Sequence, residues 1–150
     1  GYTNDPTTIT AIYKYNNQYY FDEVIYQTGL TNGEIAKLFK AKGGNIHEYI
    51  YADSAEPKSI QELNNAGLNV IKAEKGKDSI MYGIQKIQQD RFYVTKQSVN
   101  LIKELRSYTW DVDKSGTKLN KPIDAFNHCI DGIRYFFTTK DKYDGYFEVY

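Results

Sequence analysis

Residues 8–26 read TITAIYKYNNQYYFDEVIY and contain two runs of strand-forming residues joined at Asn16-Asn17. Aromatic and β-branched side chains pack well on a pleated surface, and asparagine tolerates the positive φ angles of a two-residue turn. The segment therefore predicts a β-hairpin with strands at 8–15 and 18–26. A chain that opens with such a hairpin and then alternates strands with helices is typical of an α/β fold with a mixed sheet flanked by helices.

The rest of the chain alternates short apolar runs with amphipathic stretches, which favours strands connected by helices. Thr31 and Glu34 form a capping-box pattern that opens the first predicted helix, and Gly43-Gly44 ends it. Further strands are predicted at 49–52, 70–73 and 92–94, a polar hairpin at 110–119, and helices at 59–66, 79–89, 98–108 and after Pro122. The tail from Asp141 is predicted to form an edge strand or to lack regular structure.

The composition limits the function classes. The chain has 150 residues, enough for one domain, and no linker or repeat divides it. Its 19 basic residues balance its 19 acidic residues, so there is no overall positive field of the kind that accompanies nonspecific nucleic-acid binding. The single cysteine, Cys129, excludes an internal disulfide, and two histidines are too few for a Cys/His zinc site. The lone cysteine fits a reducing compartment, no apolar run reaches roughly 18 residues, and the first residues do not resemble a signal peptide, so we expect an intracellular protein without a membrane span.

The chain contains 15 tyrosines. Runs such as 12–15 and 18–21 place them in predicted strands, where aromatic side chains pair well across neighbouring strands. A tyrosine-lined surface could also bind sugars, bases or protein. A noncatalytic, tyrosine-rich binding module therefore stays open as an alternative to an enzyme.

Three polar residues that can bind metals, Asp124, His128 and Asp131, recur at spacings of four and three. On a helix that starts after Pro122 they would share one face, because successive residues advance by roughly 100°. Buried carboxylates are costly unless a cation, a hydrogen-bond network or a raised pKa compensates them, and a divalent metal is one such cation. Structural explanations also exist: Asp124 as a helix cap, His128 as a core histidine, and Asp131 as the partner of Arg134.

Asp53 follows the predicted strand at 49–52, at the strand end where ligands of α/β sheets bind. A carboxylate there, together with acidic residues on a distant helix, suits a two-metal phosphoryl-transfer site. One ion lowers the pKa of the attacking water and the other stabilises the leaving oxygen. Oxygen ligands favour Mg²⁺ or Mn²⁺ over Zn²⁺.

Four motifs, taken in order and spacing, point to one family. They are GYTNDP at 1–6, YADSAEPKSI at 51–60, KGKDSI at 75–80 and NHCIDGIRY at 127–135. Together they resemble the C-terminal nuclease domain of tailed-bacteriophage or prophage terminase large subunits over nearly the whole chain. The resemblance implies that residues 1–150 form a single RNase H-like domain. It also implies a metal-dependent endonuclease that cuts concatemeric viral DNA during genome packaging.

The resemblance also assigns roles by position. Asp53 and Asp131 match two metal-binding carboxylates of the family, and His128 matches a histidine beside the metals. Asp5 and Asp124 match supporting acidic positions near that centre. Two Mg²⁺ or Mn²⁺ ions are implied for the intact domain.

One metal-binding carboxylate of the family lies on a first strand that precedes the GYTNDP motif, so we expect this strand and ligand to lie upstream of Gly1. We accordingly expect the 150-residue chain to bind metal weakly or not at all. The resemblance implies an N-terminal ATPase domain, double-stranded DNA, a portal protein and a small terminase subunit as partners, in the cytoplasm of the bacterial host. No Walker A motif is present, so this chain is not expected to hydrolyse ATP.

Basic residues near these motifs are candidate DNA contacts. They are Lys72, Lys75 and Lys77 around Gly76, and Arg106, Lys114, Lys118 and Lys121 around the polar hairpin. Such residues supply sequence-independent affinity for phosphates, although charged loops are often merely solvated. A Holliday-junction resolvase or RNase H relative would use the same carboxylate chemistry on another substrate, and the motifs at the two ends of the chain favour the terminase.

Overall fold

The computed structural model describes residues 5–76 and 78–147. In chain order the elements are β1 (Thr7–Tyr15), β2 (Gln18–Gln27), α1 (Asn32–Ala41), β3 (Ile50–Ala52), α2 (Pro57–Asn65), β4 (Val70–Lys72), α3 (Ser79–Gln89), β5 (Phe92–Val94), α4 (Val99–Ser107), β6 (Trp110–Val112), β7 (Lys118–Pro122) and α5 (His128–Phe147). Within these residues, no helix combines the length and the apolar character needed to cross a membrane.

The predicted opening hairpin is confirmed. β1 pairs antiparallel with β2 along its length, ending with Tyr15 opposite Gln18. Asn16 and Asn17 have φ angles of 51° and 61°, the left-handed values that a two-residue turn between twisted strands requires. β5 adds to the far side of β2 in parallel, so this sheet has mixed direction, as predicted.

A parallel pair of strands carries the site. β3 and β4 are connected by α2 and lie in register, with Ala52 opposite Lys72. The amide of Ala73 donates to the carbonyl oxygen of Ala52 at 2.7 Å, which extends the pairing beyond the strand ends. The residues that follow these two strands therefore emerge side by side at one edge.

Two apolar clusters hold the helices against the strands, and each large buried side chain contributes about 1.5–3 kcal/mol. The first joins β2, α4 and α5 through Phe21, Leu101, Cys129, Ile133 and Phe137. The second joins β2, α1 and β4 through Ile25, Ala36, Phe39, Leu68 and Val70. Because α5 also packs against both β1 and β3, it connects the hairpin sheet to the parallel pair.

The tyrosines of the 18–21 run pack along the strands, as the sequence predicts, whereas those of the 12–15 run are exposed. The Tyr19 ring meets Phe137 edge-on at 4.9 Å between centroids, in the first cluster. Tyr20 stacks on Tyr93 of the neighbouring strand at 5.1 Å. Tyrosine packing therefore strengthens the β1–β2–β5 sheet on both of its faces.

The start of α5 differs from the prediction. The helix begins at His128, so the expectation of a helix starting after Pro122 is wrong. Phe126 has a φ of 52°, a left-handed value that a right-handed helix cannot include. Asp124 lies in the bend that precedes the helix, so it does not share a helical face with His128 and Asp131.

A buried carboxylate on α4 helps to set this start. Oε1 of Glu104, a residue only 2% exposed, accepts hydrogen bonds from the amides of Cys129 and Ile130 at 2.9 and 3.2 Å. These amides lie in the first turn of α5, where N–H groups have no partner within the helix. At its other end α5 includes residues 141–147, where an edge strand or irregular chain is predicted, so that prediction is also wrong.

Candidate active site

The carboxyl ends of the parallel strands bring Asp53 and Lys75 together. Asp53 follows β3 directly, Lys75 follows β4, and the lysine ammonium forms an ion pair with Oδ1 of Asp53. The amide of Ala55 donates to the same oxygen at 2.9 Å. The side chains of Asp53 and Lys75 are 42% and 39% exposed, so the pair is accessible from solvent.

The surroundings of this pair favour both charged forms. Burial acts to raise the pKa of Asp53, but the hydrogen bond from Lys75, the Ala55 amide, the lysine charge and Tyr135 together lower it below its usual value. Burial acts to lower the pKa of Lys75, and its contacts with Asp53 and Tyr135 outweigh that effect and raise it. Both groups therefore stay ionised at neutral pH.

The first turn of α5 supplies a second carboxylate. Nη2 of Arg134 donates to Oδ1 of Asp131 at 2.5 Å, so the pair expected as a structural alternative is present. The side chains of Asp131 and Arg134 are 28% and 8% exposed. Burial raises the pKa of Asp131, Arg134 and His128 oppose this rise, and the charge of Asp124 adds to it. The ionised form of Asp131 is thus stabilised less by its surroundings than that of Asp53.

Tyr135 links the two carboxylates. Its ring centroid lies 5.4 Å from the Lys75 ammonium and 5.8 Å from the Arg134 guanidinium carbon. Burial, followed by the negative charges of Asp53 and Asp131, raises the pKa of the tyrosine. The structure therefore brings carboxylates from β3 and α5 around one side chain, although 78 positions separate them along the chain.

A cavity of about 470 Å³ opens beside this group. It lies between the start of α3, the end of β7 and the first turns of α5, and Asp131, Arg134 and Tyr135 line it. Asp124 and Lys121 line it as well. Asp124 therefore remains in the site as a loop residue, even though the predicted helical arrangement is wrong.

Two other predicted site residues lie at different distances from this centre. His128 is half-buried at the start of α5, one helical turn before Asp131, and its electrostatic effect lowers the pKa of Asp131 and of Glu104. Asp5 is exposed ahead of β1, and the described contacts do not connect it with Asp53 or Asp131. The first four residues of the GYTNDP motif lie outside the described residues. The structure thus supports His128 as a neighbour of the centre and leaves the role of Asp5 a prediction.

The candidate DNA contacts divide into two groups. Lys75 is paired with Asp53, and Lys77 lies outside the described residues. Arg106 at the end of α4 and Lys118 at the start of β7 are both exposed. Arg106 and Lys118 are therefore available to phosphates, whereas Lys75 already has an anionic partner.

The donor set suits a hard divalent ion but supplies only part of a site. Carboxylate oxygens are the ligands that Mg²⁺ and Mn²⁺ prefer. Among the residues that the structure describes, no group of three or more His, Cys, Asp or Glu could hold a metal ion. Asp53 and Asp131 each have one cation against them, which shows that both positions favour positive charge. A metal ion held by these two carboxylates would need its remaining ligands from water or from other parts of the protein.

Reasoning from the sequence missed Tyr135 and Glu104, although each had a signal. Tyr135 lies four residues after Asp131, which puts the two on one face of a helix. Glu104 lies three residues after Leu101 on α4, so the pattern places a carboxylate on the buried face. An acidic residue on an apolar face predicts a partner with free N–H groups, and here the partner is α5.

Comparison with known proteins identifies the family. Residues 1–139 match the family model described as the terminase RNase H-like domain. The chain belongs to this family. The resemblance stated from the four motifs is therefore confirmed.

Two curated relatives agree with this assignment. The large terminase subunit of Bacillus phage SPP1 is 34% identical over 100 residues, which cover 64% of this chain and 24% of that protein. The PBSX phage terminase large subunit of Bacillus subtilis strain 168 is 29% identical over 111 residues, covering 73% of this chain and 25% of that protein. This terminase domain thus spans about a quarter of the length of these relatives.

Solved structures confirm the predicted fold. The nuclease domain of the SPP1 large terminase, solved with bound Mn, superposes with a TM-score of 0.81 at 26% identity and covers 91% of this chain and 80% of that chain. The large terminase of a thermophilic bacteriophage, in complex with ATP-γ-S, gives a TM-score of 0.73 at 25% identity and covers 91% and 37%. The RNase H-like terminase fold is thus present in this chain.

Proposed function

We propose that this terminase domain is a Mg²⁺- or Mn²⁺-dependent endonuclease that cuts concatemeric viral DNA during genome packaging. The observation that carries the proposal is that the cations paired with Asp53 and Asp131 both lie against the ring of Tyr135, in a chain of this family. The Mn bound to the SPP1 nuclease domain supports a divalent metal as the cofactor. Phosphodiester hydrolysis is the reaction for which such a centre is suited.

Each residue has a defined task in this proposal. Asp53 and Asp131 would hold the metal, which when bound activates water or stabilises the leaving oxygen. Arg134 fixes Asp131 through Oδ1 and leaves the second carboxylate oxygen for other ligands. Arg106 and Lys118, which are both exposed, supply positive charge for the DNA backbone, and Asp124 on the cavity wall supports the centre from the loop.

We further propose that a strand upstream of the GYTNDP motif supplies a third carboxylate. In the described part of the chain β1 and β3 are not paired with each other, yet α5 packs against both. A strand inserted between them would join the hairpin sheet and the parallel pair into one sheet under α5. Its carboxylate would then lie beside Asp53 and add a ligand to the two carboxylates of the described residues.

The proposed partners belong to the intact protein. Since the chain covers about a quarter of its relatives, an ATPase domain of the same polypeptide is the first of them. The portal protein, the small terminase subunit and double-stranded DNA complete the packaging assembly, and the host cytoplasm is the proposed location. Membership of the terminase family supports these proposed assignments.

Plasmid cleavage tests the proposed activity. We would compare the 150-residue chain with a version extended upstream through the additional strand, each with Mn²⁺ and with Mg²⁺. The extended protein should cut, and its Asp53→Asn and Asp131→Asn variants should lose roughly 100-fold or more of the rate. Asp90→Asn, at an exposed carboxylate that ends α3, serves as the control and should cut normally. A folded extended protein that cuts with neither metal would contradict the proposal.

A further inference from the structure

The two cations that pair with Asp53 and Asp131 differ in how freely they can move. The Arg134 side chain is 8% exposed and lies close against Gly83 of α3, so its position is fixed by packing. The Lys75 side chain is 39% exposed and carries its charge on a flexible four-carbon stem. Of these two cations, the lysine alone can leave its carboxylate without disturbing the interior.

The backbone that carries Lys75 is anchored just before this residue. The Ala73 amide donates to Ala52 at 2.7 Å, and the Glu74 amide donates to the hydroxyl of Thr139 on α5 at 2.9 Å. The ammonium therefore starts from a fixed point, and a rotation of the side chain alone moves it away from Asp53.

The lysine and a metal ion compete for the same group. The Lys75 ammonium lies against Oδ1 of Asp53, the carboxylate proposed as a metal ligand. A divalent ion and an ammonium at one carboxylate repel each other strongly in the partly buried site. A metal ion bound at Oδ1 of Asp53 would therefore take the place of the ammonium, which, unlike the buried guanidinium of Arg134, is free to move away.

We propose that Lys75 is an internal counter-ion that occupies the Asp53 side of the metal centre in the metal-free domain and is displaced when a divalent ion binds. The inference rests on the proposed function, because it takes Asp53 as a metal ligand. It accounts for a lysine held between Asp53 and the Tyr135 ring in a site that favours positive charge. It also makes metal affinity a property that residue 75 adjusts.

Mn²⁺ binding to the intact large subunit without nucleotide tests the inference, with free Mn²⁺ followed by its EPR signal. The Mn²⁺ that the wild type binds and the Asp53→Asn variant does not is assigned to this site. Lys75→Met should lower the dissociation constant of that share by about fivefold, since an exposed ion pair is worth up to about that factor. Lys75→Arg keeps the positive charge and should remain within about twofold of the wild type.

The outcomes separate the inference from the proposed function. If Lys75→Met binds Mn²⁺ no tighter than the wild type while Asp53→Asn removes the site, Lys75 does not compete and the inference is wrong. If Asp53→Asn leaves Mn²⁺ binding unchanged, the metal site of the proposed function is wrong and the inference falls with it. Thermal unfolding adds a second readout, because tighter binding gives Lys75→Met the larger Mn²⁺-dependent rise in Tm.

Discussion

The two carboxylates at the centre of this domain have opposite environments. Asp53 leaves a parallel strand, is 42% exposed, and has a pKa below its usual value because its partners outweigh burial. Asp131 lies on α5, is 28% exposed, and has a pKa above its usual value because burial outweighs Arg134. The two positions are therefore not equivalent, although each has an ion pair. Solvent access decides whether burial or the paired cation has the larger effect on the pKa.

This difference divides the work of the site. The Asp131–Arg134 side is fixed by the packing of α5 and would hold one proposed metal ligand in a constant position. The Asp53–Lys75 side is open to solvent and can exchange its cation. We therefore expect the stability of the fold to depend on Arg134 and the response to metal to depend on Lys75.

The largest expected effect is a loss of stability when the buried Asp131–Arg134 pair is broken. Arg134→Met should lower the free energy of unfolding by about 3 kcal/mol, because it leaves the Asp131 carboxylate without its cation in a mostly buried position. Lys75→Met is the matched control and should cost less than about 1 kcal/mol, since its pair is exposed. Urea unfolding at neutral pH measures both. Equal losses in the two variants would remove the proposed difference between the sides.

A smaller effect concerns the contact that holds Arg134 in place. Gly83 on α3 faces α5 so closely that an added Cβ would lie 2.9 Å from Cβ and Cγ of Arg134 and 3.3 Å from its Cα. Gly83→Ala should therefore destabilise the domain by about 1–2 kcal/mol, despite the better helix propensity of alanine. Gly132→Ala, on α5 with nothing within 4 Å of the added atom, is the control in the same urea experiment. An increase in stability for Gly83→Ala would show that the two helices are packed less tightly than described.

The smallest effects are the opposite pH dependences of the two carboxylates. Because the pKa of Asp53 is lowered in the folded protein, its ionised form stabilises the fold above the usual aspartate range, and this contribution disappears as pH falls through the lowered pKa. Asp53→Asn should accordingly lower Tm at neutral pH by roughly 2 °C and have no effect at strongly acidic pH.

The pH dependence of stability has the opposite sign for Asp131, because its pKa is raised in the folded protein. Its raised folded pKa means that its stabilising contribution is complete below the usual aspartate pKa and is lost as pH rises through the folded value. Asp131→Asn should therefore raise Tm at neutral pH by roughly 2 °C, with the gain vanishing in acid, because the new amide oxygen can still accept from Arg134. Thermal unfolding of both variants across pH checks the pair. Shifts of the same sign would contradict the comparison.

The parts of the fold that local chemistry dictates could be predicted from the sequence. The turn at Asn16-Asn17 and the capping box of Thr31 and Glu34 are both present, since each depends on residues within a few positions. The start of α5 depends instead on Glu104, more than 20 positions earlier. The residue pattern of α5 therefore cannot predict where this helix begins, because the capping side chain belongs to α4.

The same limit applies to the site. Asp53 could be predicted because a strand end followed by a carboxylate is visible in the sequence. Its pairing with Lys75 depends on the register of β3 against β4, which are separated by a helix, so the sequence alone predicts a DNA contact for this lysine instead. Asp124 has helical spacing to His128 but reaches the cavity from a bend. Spacing along the sequence therefore selects candidate residues, whereas their positions around the cavity depend on strand register and on the bend before α5.

The most direct test of the central claim is a crystal structure of the upstream-extended domain grown with Mn²⁺, with anomalous scattering measured at the manganese edge. We predict an anomalous peak bound by the carboxylates of Asp53 and Asp131, the Lys75 ammonium moved away from Asp53, and Arg134 still paired with Asp131. A structure in which manganese binds elsewhere, or nowhere, while Lys75 remains on Asp53 would contradict the assignment of these two carboxylates as the metal centre.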